Sequence, residues 1–263
     1  MSSSSPAAPP MVFVFAASDP TGGAGVQADL LSVAAMGGHA LTAITALTVQ
    51  DTHGVERMLA IPPDWVRDQA RRALDDIPVA AFKLGVLGSA ANARAVAEVL
   101  AEHPGVPVVV DPVLASGRGD ALAEHDAIVA LREAILPRAT VLTPNSIEAR
   151  RLAGDSDLER CARRLLGNGC EYVLITGTHE AGADVVNRLY GRGGGVVEER
   201  CARLPGSYHG SGCTLASAVA AALARGASVP EAVHEAQLFT WHALAAGYRP
   251  SAGQFLPQRF FRH

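Results

Sequence analysis

The chain has 263 residues, of which 49% are hydrophobic and 18% charged, so its composition supports a sizeable core and excludes general disorder. Its formal net charge of −4 gives no sign of the basic surface that nucleic acid or an anionic membrane requires. The sequence contains no apolar segment long enough to span a bilayer. We therefore expect neither a nucleic-acid partner nor a membrane partner.

The cysteines and the first ten residues indicate where the protein works. The four cysteines show no CxxC spacing and no neighbouring histidine cluster, so neither a zinc site nor a disulfide framework is indicated. We expect a reducing, cytoplasmic compartment. Residues 1–10 lack the basic segment of a secretory signal, and we predict a disordered tail there, followed by one domain over residues 11–263.

Strand-like and helix-like segments alternate along the chain. The predicted strands cover residues 11–17, 40–50, 79–84, 106–111, 139–143 and 172–176, with a hairpin formed by residues 184–190 and 196–203 around RGGG. The predicted helices cover residues 26–38, 62–75, 90–102, 123–135, 144–154, 158–167, 212–225 and 229–246. This alternation predicts an α/β fold with a mostly parallel central sheet and helices on both faces.

Polar and glycine-rich segments follow the predicted strands. They are SDPTGGAG at 18–25, QDT at 50–52, Asp111-Pro112, Pro144-Asn145 and HGSGC at 209–213. Ligands of such folds lie beyond the carboxyl ends of the parallel strands. The sequence therefore predicts a single active site at that edge of the sheet.

The segment SYHGSGCT at 207–214 opens an alanine-rich helix. Gly210 and Gly212 allow an anion to approach the backbone closely, and the free N–H groups of a helix start favour negative charge. Cys213 lies in the same first turn, where this field favours the thiolate. The segment predicts either a phosphate cradle containing a catalytic thiol or a tight loop before a helix with a buried cysteine.

Six motifs occur in chain order and together resemble one enzyme family. They are SDPTGGAGVQADL at 18–30, ITALTVQDT at 44–52, KLGVL at 83–87, VVVDPV at 108–113, TPNSIEA at 143–149 and HGSGCTLASA at 209–218. The chain resembles, from about Met11 to Tyr248, the hydroxymethylpyrimidine/phosphomethylpyrimidine kinases of thiamine biosynthesis, within the ribokinase-like superfamily.

The resemblance implies a ribokinase-like three-layer sandwich that uses ATP and Mg²⁺. The expected reaction phosphorylates 4-amino-5-hydroxymethyl-2-methylpyrimidine and then its monophosphate. Gly210, Ser211, Gly212 and Cys213 would surround the transferring phosphoryl group, with Cys213 in place of the superfamily's usual aspartate base. The resemblance also implies a homodimer.

For the substrate, the resemblance indicates Gln50. Its amide can donate a hydrogen bond to the ring nitrogen of an aminopyrimidine and accept one from the adjacent amino group, as the family's glutamine does. The alternative is that Gln50 is a polar cap at a strand end. Asp29 matches a family carboxylate near the ring, or else is a surface residue of the first helix. Thr48 and Val86 stand where the family more often has Val and Met. The remaining expected pocket residues are Ala17, Asp19 and Val113.

For ATP and Mg²⁺, the resemblance indicates Asn145 and Glu148 of an N-x-x-E pattern, together with Asp111. Oxygen ligands suit Mg²⁺, although Glu148 would also fit as a first-turn carboxylate favoured by the helix dipole. Thr176 stands where the family commonly has a lysine that contacts the nucleotide phosphates. Arg188 is a candidate to supply the missing charge.

Three other functions remain open. A pyridoxal or pyridoxine kinase also acts on a hydroxymethyl group of a six-membered heteroaromatic ring, although Gln50 favours the aminopyrimidine. A non-catalytic relative that binds the pyrimidine would explain the missing lysine, but not the retained HGSGC and N-x-x-E motifs. A Rossmann dehydrogenase is disfavoured because no GxGxxG motif follows the first strand.

Overall fold

The computed structural model describes residues 8–114 and 125–261, and these residues form one nine-stranded sheet with helices on both faces. The strands are β1 (Met11–Ser18), β2 (His39–Gln50), β3 (Val55–Ala60), β4 (Ala81–Leu84), β5 (Val108–Val110), β6 (Val141–Leu142), β7 (Tyr172–Ile175), β8 (Asp184–Gly191) and β9 (Val196–Ala202). They lie in the order β3-β2-β1-β4-β5-β6-β7-β8-β9. The α/β architecture expected from the alternating pattern is confirmed.

The helices are α1 (Gly25–Ala35), α2 (Pro63–Leu74), α3 (Ala90–Ala101), α4 (His125–Ala130), α5 (Ser146–Ala153), α6 (Leu158–Gly167), α7 (Ser211–Ala224) and α8 (Val229–Ala245). Helix α4 continues as a π-helical turn, Leu131–Ile135, and a short 3-10 turn, Leu136–Arg138. No helix within residues 8–114 and 125–261 is long and apolar enough to cross a membrane.

Parallel pairing joins six strands at the centre of the sheet, from β2 through β1, β4, β5 and β6 to β7. The antiparallel pairs lie at the two sides, where β3 pairs with β2 and the β8–β9 hairpin extends from β7. Strand β3 is absent from the sequence-based prediction because VERMLA contains two charged residues and no continuous apolar run. The predicted hairpin is confirmed.

Two hydrophobic cores, one on each face of the sheet, account for the three layers. The side chains of β1 alternate between them: Phe13 and Phe15 pack in the core covered by α2–α6, whereas Val12 and Val14 pack in the core covered by α1, α7 and α8. All four side chains are completely buried. This near-continuous apolar run is typical of a strand covered on both faces.

The observed boundaries differ from the predicted ones mainly at short central strands. Strand β6 contains two residues, against five predicted, because the hydrogen-bonded register with β5 is that short. The predicted helix at 123–135 begins, within the described residues, at His125. Most of the predicted disordered tail, residues 1–7, lies outside the described residues, whereas Pro10 accepts a hydrogen bond from the His39 N–H, 2.9 Å long.

The segment after α8 returns to the carboxyl edge of the sheet. Isolated bridges pair Tyr248 with Leu256 and Tyr208 with Phe255. The Gln254 N–H donates to the carbonyl of Thr52, over 2.9 Å. This segment therefore holds together the loop after β2 and the loop before α7, which are two of the segments predicted to form the active site.

Candidate active site

The carboxyl ends of the parallel strands converge on the start of α7. An ideal Cβ built on Gly210 would lie 1.9 Å from the carbonyl oxygen of Gly23, and one on Gly212 would lie 3.6 Å from the Asp111 carboxylate oxygens. The first and last predicted motifs are thus in contact, and β5 delivers Asp111 to the same place. The sequence-based prediction of one site at this edge is supported by these contacts.

Gly210 determines how closely the two loops approach. It precedes Ser211, the first residue of α7, and has a φ angle of 80°, which residues other than glycine rarely adopt. A Cβ would also collide with Gly23. The free N–H groups of Ser211, Gly212 and Cys213 therefore lie beside the Gly23 loop. At the N-terminus of a helix, such groups favour the binding of an anion.

Asp19 organises the loop after β1. It is only 1% exposed and accepts hydrogen bonds from Thr21, from the Ala24 N–H and from His209, whose Nε2 lies 2.8 Å from Oδ2. Burial alone would raise the pKa of Asp19, but these hydrogen bonds, led by that of His209, hold it at about 2. The carboxylate is engaged by its own loop and by His209, and its place in the ring pocket stays a prediction.

Asp29 also lies away from the pocket surface. It is completely buried one turn after the start of α1, and its Oδ1 accepts from Lys83 Nζ and Ser217 Oγ, each 2.7 Å away. Its Oδ2 has no hydrogen-bond partner among the described residues. Neither the substrate-binding interpretation nor the surface interpretation describes this arrangement, in which Asp29 is the counter-ion of a buried lysine.

Lys83 is the only lysine of the chain and is completely buried on β4. Burial lowers the pKa of the ammonium, but Asp29, Cys213 and Asp111 together raise it by more, so Lys83 remains charged. An ideal Cβ at Gly85 would lie 2.9 Å from Nζ. A side chain at position 85 would therefore crowd the ammonium.

The surroundings of Cys213 disfavour its thiolate form. Burial raises its pKa to about 12, while Lys83 and the Gly25 N–H favour the thiolate and the carboxylates of Asp111 and Asp29 oppose it. The expectation that the helix start favours the thiolate at this residue is therefore not met. The desolvation cost and two nearby carboxylates outweigh the favourable field.

Asp111 and Glu148 are two buried carboxyl groups that influence each other. Burial raises the pKa of Asp111 to about 6, against the lowering effect of Lys83. Burial and the neighbouring Asp111 together raise the pKa of Glu148 to about 8. Asp111 Oδ2 has no hydrogen-bond partner within the described part of the chain. A cation bound beside the two carboxyls would therefore stabilise their ionised forms.

The N-x-x-E pattern forms a capping box at the start of α5. The Asn145 side chain accepts from the N–H groups of Ile147 and Glu148, and Glu148 Oε2 accepts from the Asn145 N–H over 3.0 Å. The other oxygen, Oε1, accepts from the Leu114 N–H over 3.3 Å. Glu148 therefore lies in the first turn of α5, as one of its two interpretations predicts. From this position its carboxyl still interacts with that of Asp111.

Thr176 lies beside Asn145 in an isolated parallel bridge, and its carbonyl accepts from the Ser146 N–H over 3.0 Å. It is therefore adjacent to the α5 cap. Arg188 does not reach this position, because its guanidinium pairs with Glu198 on the neighbouring strand at 2.8 Å. The structure gives no support to Arg188 as a substitute for the missing lysine.

The other predicted pocket residues lie at the ends of β1, β2, β4 and β5. The side-chain amide of Gln50, at the end of β2, has no hydrogen-bond partner in the described part of the chain. The Thr48 hydroxyl donates to the Ser18 carbonyl over 2.8 Å, so its polar group is already occupied. The others are Ala17, 4% exposed, and the partly exposed Val86 and Val113.

Three side chains of this edge were not identified from the sequence as site residues. Lys83 carried a signal, because one lysine in an otherwise arginine-only chain lies within a buried apolar strand. Ser217 and Arg259 carried none: Ser217 is an ordinary residue of an alanine-rich helix, and Arg259 lies in an irregular segment. Arg259 Nη2 donates to the Gly23 carbonyl over 2.6 Å.

A metal site with three or more ligands from His, Cys, Asp and Glu does not occur among the described residues. Two neighbouring buried carboxyls, one of which has an unpartnered oxygen, nevertheless fit Mg²⁺, which usually keeps several waters and binds through one or two carboxylates and substrate phosphates. Asp111 and Glu148 are the pair that fits this description.

The chain matches the phosphomethylpyrimidine kinase family over residues 19–257. It is 44% identical over 256 residues to a hydroxymethylpyrimidine/phosphomethylpyrimidine kinase of Streptomyces coelicolor, with 94% of this chain and 93% of the relative covered. The pyridoxal kinase from Staphylococcus aureus in complex with AMP-PCP and pyridoxal superimposes with a TM-score of 0.87 and 29% identity, covering 96% of this chain and 94% of that chain. For the phosphomethylpyrimidine kinase from Clostridium difficile the TM-score is 0.77 and the identity 31%, with 89% and 99% covered.

These similarities extend over almost the whole chain and agree with the site geometry, and the ribokinase-like fold expected from the six motifs is confirmed. The chain belongs to the phosphomethylpyrimidine kinase family of phosphotransferases.

Proposed function

We propose that this protein uses ATP to phosphorylate the hydroxymethyl group of 4-amino-5-hydroxymethyl-2-methylpyrimidine, and then its monophosphate, in thiamine biosynthesis. The observation that carries the proposal is the position of Cys213 in the first turn of α7, beside Asp111 and the Gly23–Gly25 loop. The 44% identity to the Streptomyces coelicolor kinase supports the pyrimidine as substrate.

Cys213 is the group that would accept the proton of the hydroxymethyl oxygen while that oxygen attacks the γ-phosphorus and the bond to the ADP leaving oxygen breaks. The thiol must first ionise, and the Asp111 carboxylate opposes this. Any event that neutralises Asp111 therefore favours the thiolate. The N–H groups of Ser211, Gly212 and Cys213, after the tight turn at Gly210, would stabilise the phosphoryl oxygens.

Mg²⁺ is the cation that fits Asp111 and Glu148. When bound, Mg²⁺ supplies charge neutralisation for phosphate oxygens and for the carboxylates that hold it. The raised pKa values of both carboxyls, about 6 and about 8, mean that cation binding would release protons near neutral pH. This coupling gives the two residues a second effect, because a neutralised Asp111 no longer opposes ionisation of Cys213.

Gln50 would recognise the aminopyrimidine. Its free amide both donates and accepts hydrogen bonds, as the adjacent amino group and ring nitrogen require. Ala17, Thr48, Val86 and Val113 would form the walls of the ring pocket. Because the Thr48 hydroxyl is occupied by Ser18, this threonine adds little polarity to the pocket.

Asn145 and Thr176 would contact the nucleotide phosphates. The bridge between them places both at the carboxyl ends of β6 and β7, next to Glu148. ATP as the phosphoryl donor is supported by the similar pyridoxal kinase, which was solved with AMP-PCP. Backbone groups and neutral side chains would provide the local contacts, since Arg188 is paired elsewhere.

The test is to incubate the protein with ATP, Mg²⁺ and one acceptor at a time, and to identify products by mass. We expect phosphorylation of both the hydroxymethylpyrimidine and its monophosphate. Pyridoxal as the preferred acceptor would instead establish the second candidate, which the similarity to the Staphylococcus aureus enzyme favours. Absence of transfer to every acceptor would contradict both and leave the non-catalytic pyrimidine-binding function.

A homodimer is the assembly that we propose, formed through the β2–β3 edge. Leu47 and Leu59 are paired across these strands and, with Val49, are 43% to 66% exposed. Strand β3 is also the edge of the sheet, where unpaired backbone groups are available. Light scattering should give a dimer mass, and Leu59→Glu should give a monomer; a monomeric unsubstituted protein would contradict the proposal.

A reducing compartment such as the cytoplasm suits the cysteines. All four are free thiols, and Cys161 and Cys170 are completely buried within the core. Their burial raises both pKa values, which makes them unreactive toward oxidation.

A further inference from the structure

Arg259 is a buried cation without an acidic partner among residues 8–114 and 125–261. Its side chain is only 4% exposed, and its two hydrogen bonds go to neutral oxygens: Nε donates to Thr214 Oγ1 over 3.1 Å and Nη2 to the Gly23 carbonyl over 2.6 Å. No carboxylate of the described residues forms an ion pair with it within 4.0 Å. Buried charges are normally paired, so this arrangement calls for an anion.

The two carboxylates that act on Arg259 are engaged by other residues. Asp29 pairs with Lys83 at 2.7 Å, and Asp19 is hydrogen-bonded by His209 at 2.8 Å. Both act on Arg259 only at longer range. Burial lowers the pKa of the Arg259 guanidinium, but an arginine remains protonated in proteins. Arg259 is therefore a buried charge near the start of α7 that no carboxylate of the described residues contacts directly.

The partners of Arg259 are the two loops that form the anion-favouring helix start. Thr214 belongs to the first turn of α7 and donates to the Gly210 carbonyl over 2.8 Å. Gly23 is the residue whose carbonyl Gly210 approaches. One guanidinium thus binds both the Gly23 loop and the first turn of α7. Its positive charge lies near the free N–H groups of Ser211, Gly212 and Cys213 and reinforces their attraction for an anion.

We infer that Arg259 is a positioning residue for the transferred phosphoryl group: it holds the Gly23 loop against α7 and supplies a permanent positive charge beside this anion site. The inference rests on the proposed function only in taking that anion to be a phosphoryl group. Arg259 acts through the loop and through its field, and the contacts to the phosphoryl oxygens come from the backbone N–H groups.

A pair of substitutions separates charge from hydrogen bonding. Arg259→Gln keeps a donor for the Gly23 carbonyl and loses the charge, whereas Arg259→Lys keeps the charge and loses the planar two-point geometry. We expect Arg259→Gln to lower kcat about 10- to 100-fold and to weaken ADP binding in calorimetry. Arg259→Lys should recover most of both. Arg249→Gln is the control, in the same segment; Arg249 contacts two backbone carbonyls and the Phe255 ring, and this variant should match the unsubstituted protein.

Two outcomes would overturn the inference. One is unchanged kcat and ADP affinity in Arg259→Gln. The other is equal impairment of the Gln and Lys variants, which would make geometry rather than charge the requirement. Arg259→Met, which keeps the buried aliphatic volume, provides a second charge-free variant if Arg259→Gln does not fold. ADP binding is measured without an acceptor, so this result stands even if no pyrimidine is phosphorylated and the proposed function fails.

Discussion

The two halves of the active-site edge are built in different ways. In the first, which we call the charged centre, Asp29, Lys83, Asp111 and Cys213 come from four separate elements and interact inside the protein. In the second, the α5 cap, Asn145 and Glu148 are three residues apart and satisfy each other through local hydrogen bonds. The charged centre depends on the whole fold, whereas the cap depends on one helix start. We expect substitutions in the two places to differ accordingly in effect and in kind.

Cys213 should give the largest effect. Cys213→Ala removes the proposed proton acceptor, and kcat should fall about 10²- to 10⁴-fold with little change in substrate affinity, because the cradle of N–H groups remains. Steady-state kinetics with ATP and the hydroxymethylpyrimidine check this. Cys201→Ala, on β9, is the matched control and should leave kcat unchanged. An unchanged rate in Cys213→Ala would remove the thiol from the mechanism and reduce the charged centre to a structural element.

Lys83 tests the charged centre as a source of stability. Lys83→Met leaves the Asp29 carboxylate buried and uncompensated, and should cost about 3–5 kcal/mol of unfolding free energy. The double variant Lys83→Met/Asp29→Leu should recover most of the loss, since replacing both partners of a buried pair is often neutral. Urea denaturation gives both values.

The matched comparison for Lys83 is the exposed pair of Arg71 and Glu102. Arg71→Met should cost far less unfolding free energy than Lys83→Met, because solvent screens this pair. Equal losses for Arg71→Met and Lys83→Met would show that burial of the charged centre has no special energetic weight.

Glu148 connects the two halves through its pKa. In the ligand-free chain this pKa is raised from 4.5 to about 8, so the folded state binds the proton more tightly than the unfolded state. The resulting stability is complete below pH 4.5 and is lost as the pH rises through about 8. Asp111, raised to about 6, acts in the same direction at lower pH.

Glu148→Gln should therefore flatten the fall of unfolding free energy between pH 5 and 8.5, by an amount on the order of a few kcal/mol. Thermal or urea unfolding at several pH values without nucleotide or Mg²⁺ measures it. Glu133→Gln, at an exposed glutamate, serves as the control. A slope identical to that of the unsubstituted protein would mean that Glu148 is already ionised at neutral pH.

Asn145 should give the smallest effect on stability. Asn145→Ala removes the α5 cap and should cost about 0.5–2 kcal/mol. Asp157→Ala removes the equivalent cap of α6, where the side chain accepts from the Arg160 N–H over 2.8 Å, and should cost a similar amount. Only Asn145→Ala should also raise the KM for ATP. Equal KM values in the two variants would assign the N-x-x-E pattern to helix capping alone.

Local patterns explain why much of the molecule could be predicted from the sequence. Buried runs such as residues 11–17 and the glycine-rich helix start at 209–213 carry their structural cause within a few residues. The capping box is another case, because Asn145 and Glu148 satisfy each other directly. These features placed the parallel sheet, the edge that bears the site and the α7 helix start.

Long-range compensation explains what was missed. Nothing near Asp29 in sequence indicates that Lys83 and Ser217 meet its carboxylate, and nothing near Cys213 shows that burial outweighs the helix field. Strand β3 was missed because β2 provides its pairing and its own residues have little strand character. The failures thus lie where the energy comes from residues distant along the chain.

The bond from Arg259 to Gly23 joins residues 236 positions apart, and the bond from His209 to Asp19 spans 190. Closing loops of this length is entropically costly, and folds dominated by such contacts form slowly. In a refolding experiment, helices and local caps should therefore appear well before the helix start at Gly210 is locked. Recovery of kinase activity should follow the final cooperative step, and no fragment that lacks either β1 or the segment after α8 should bind ADP.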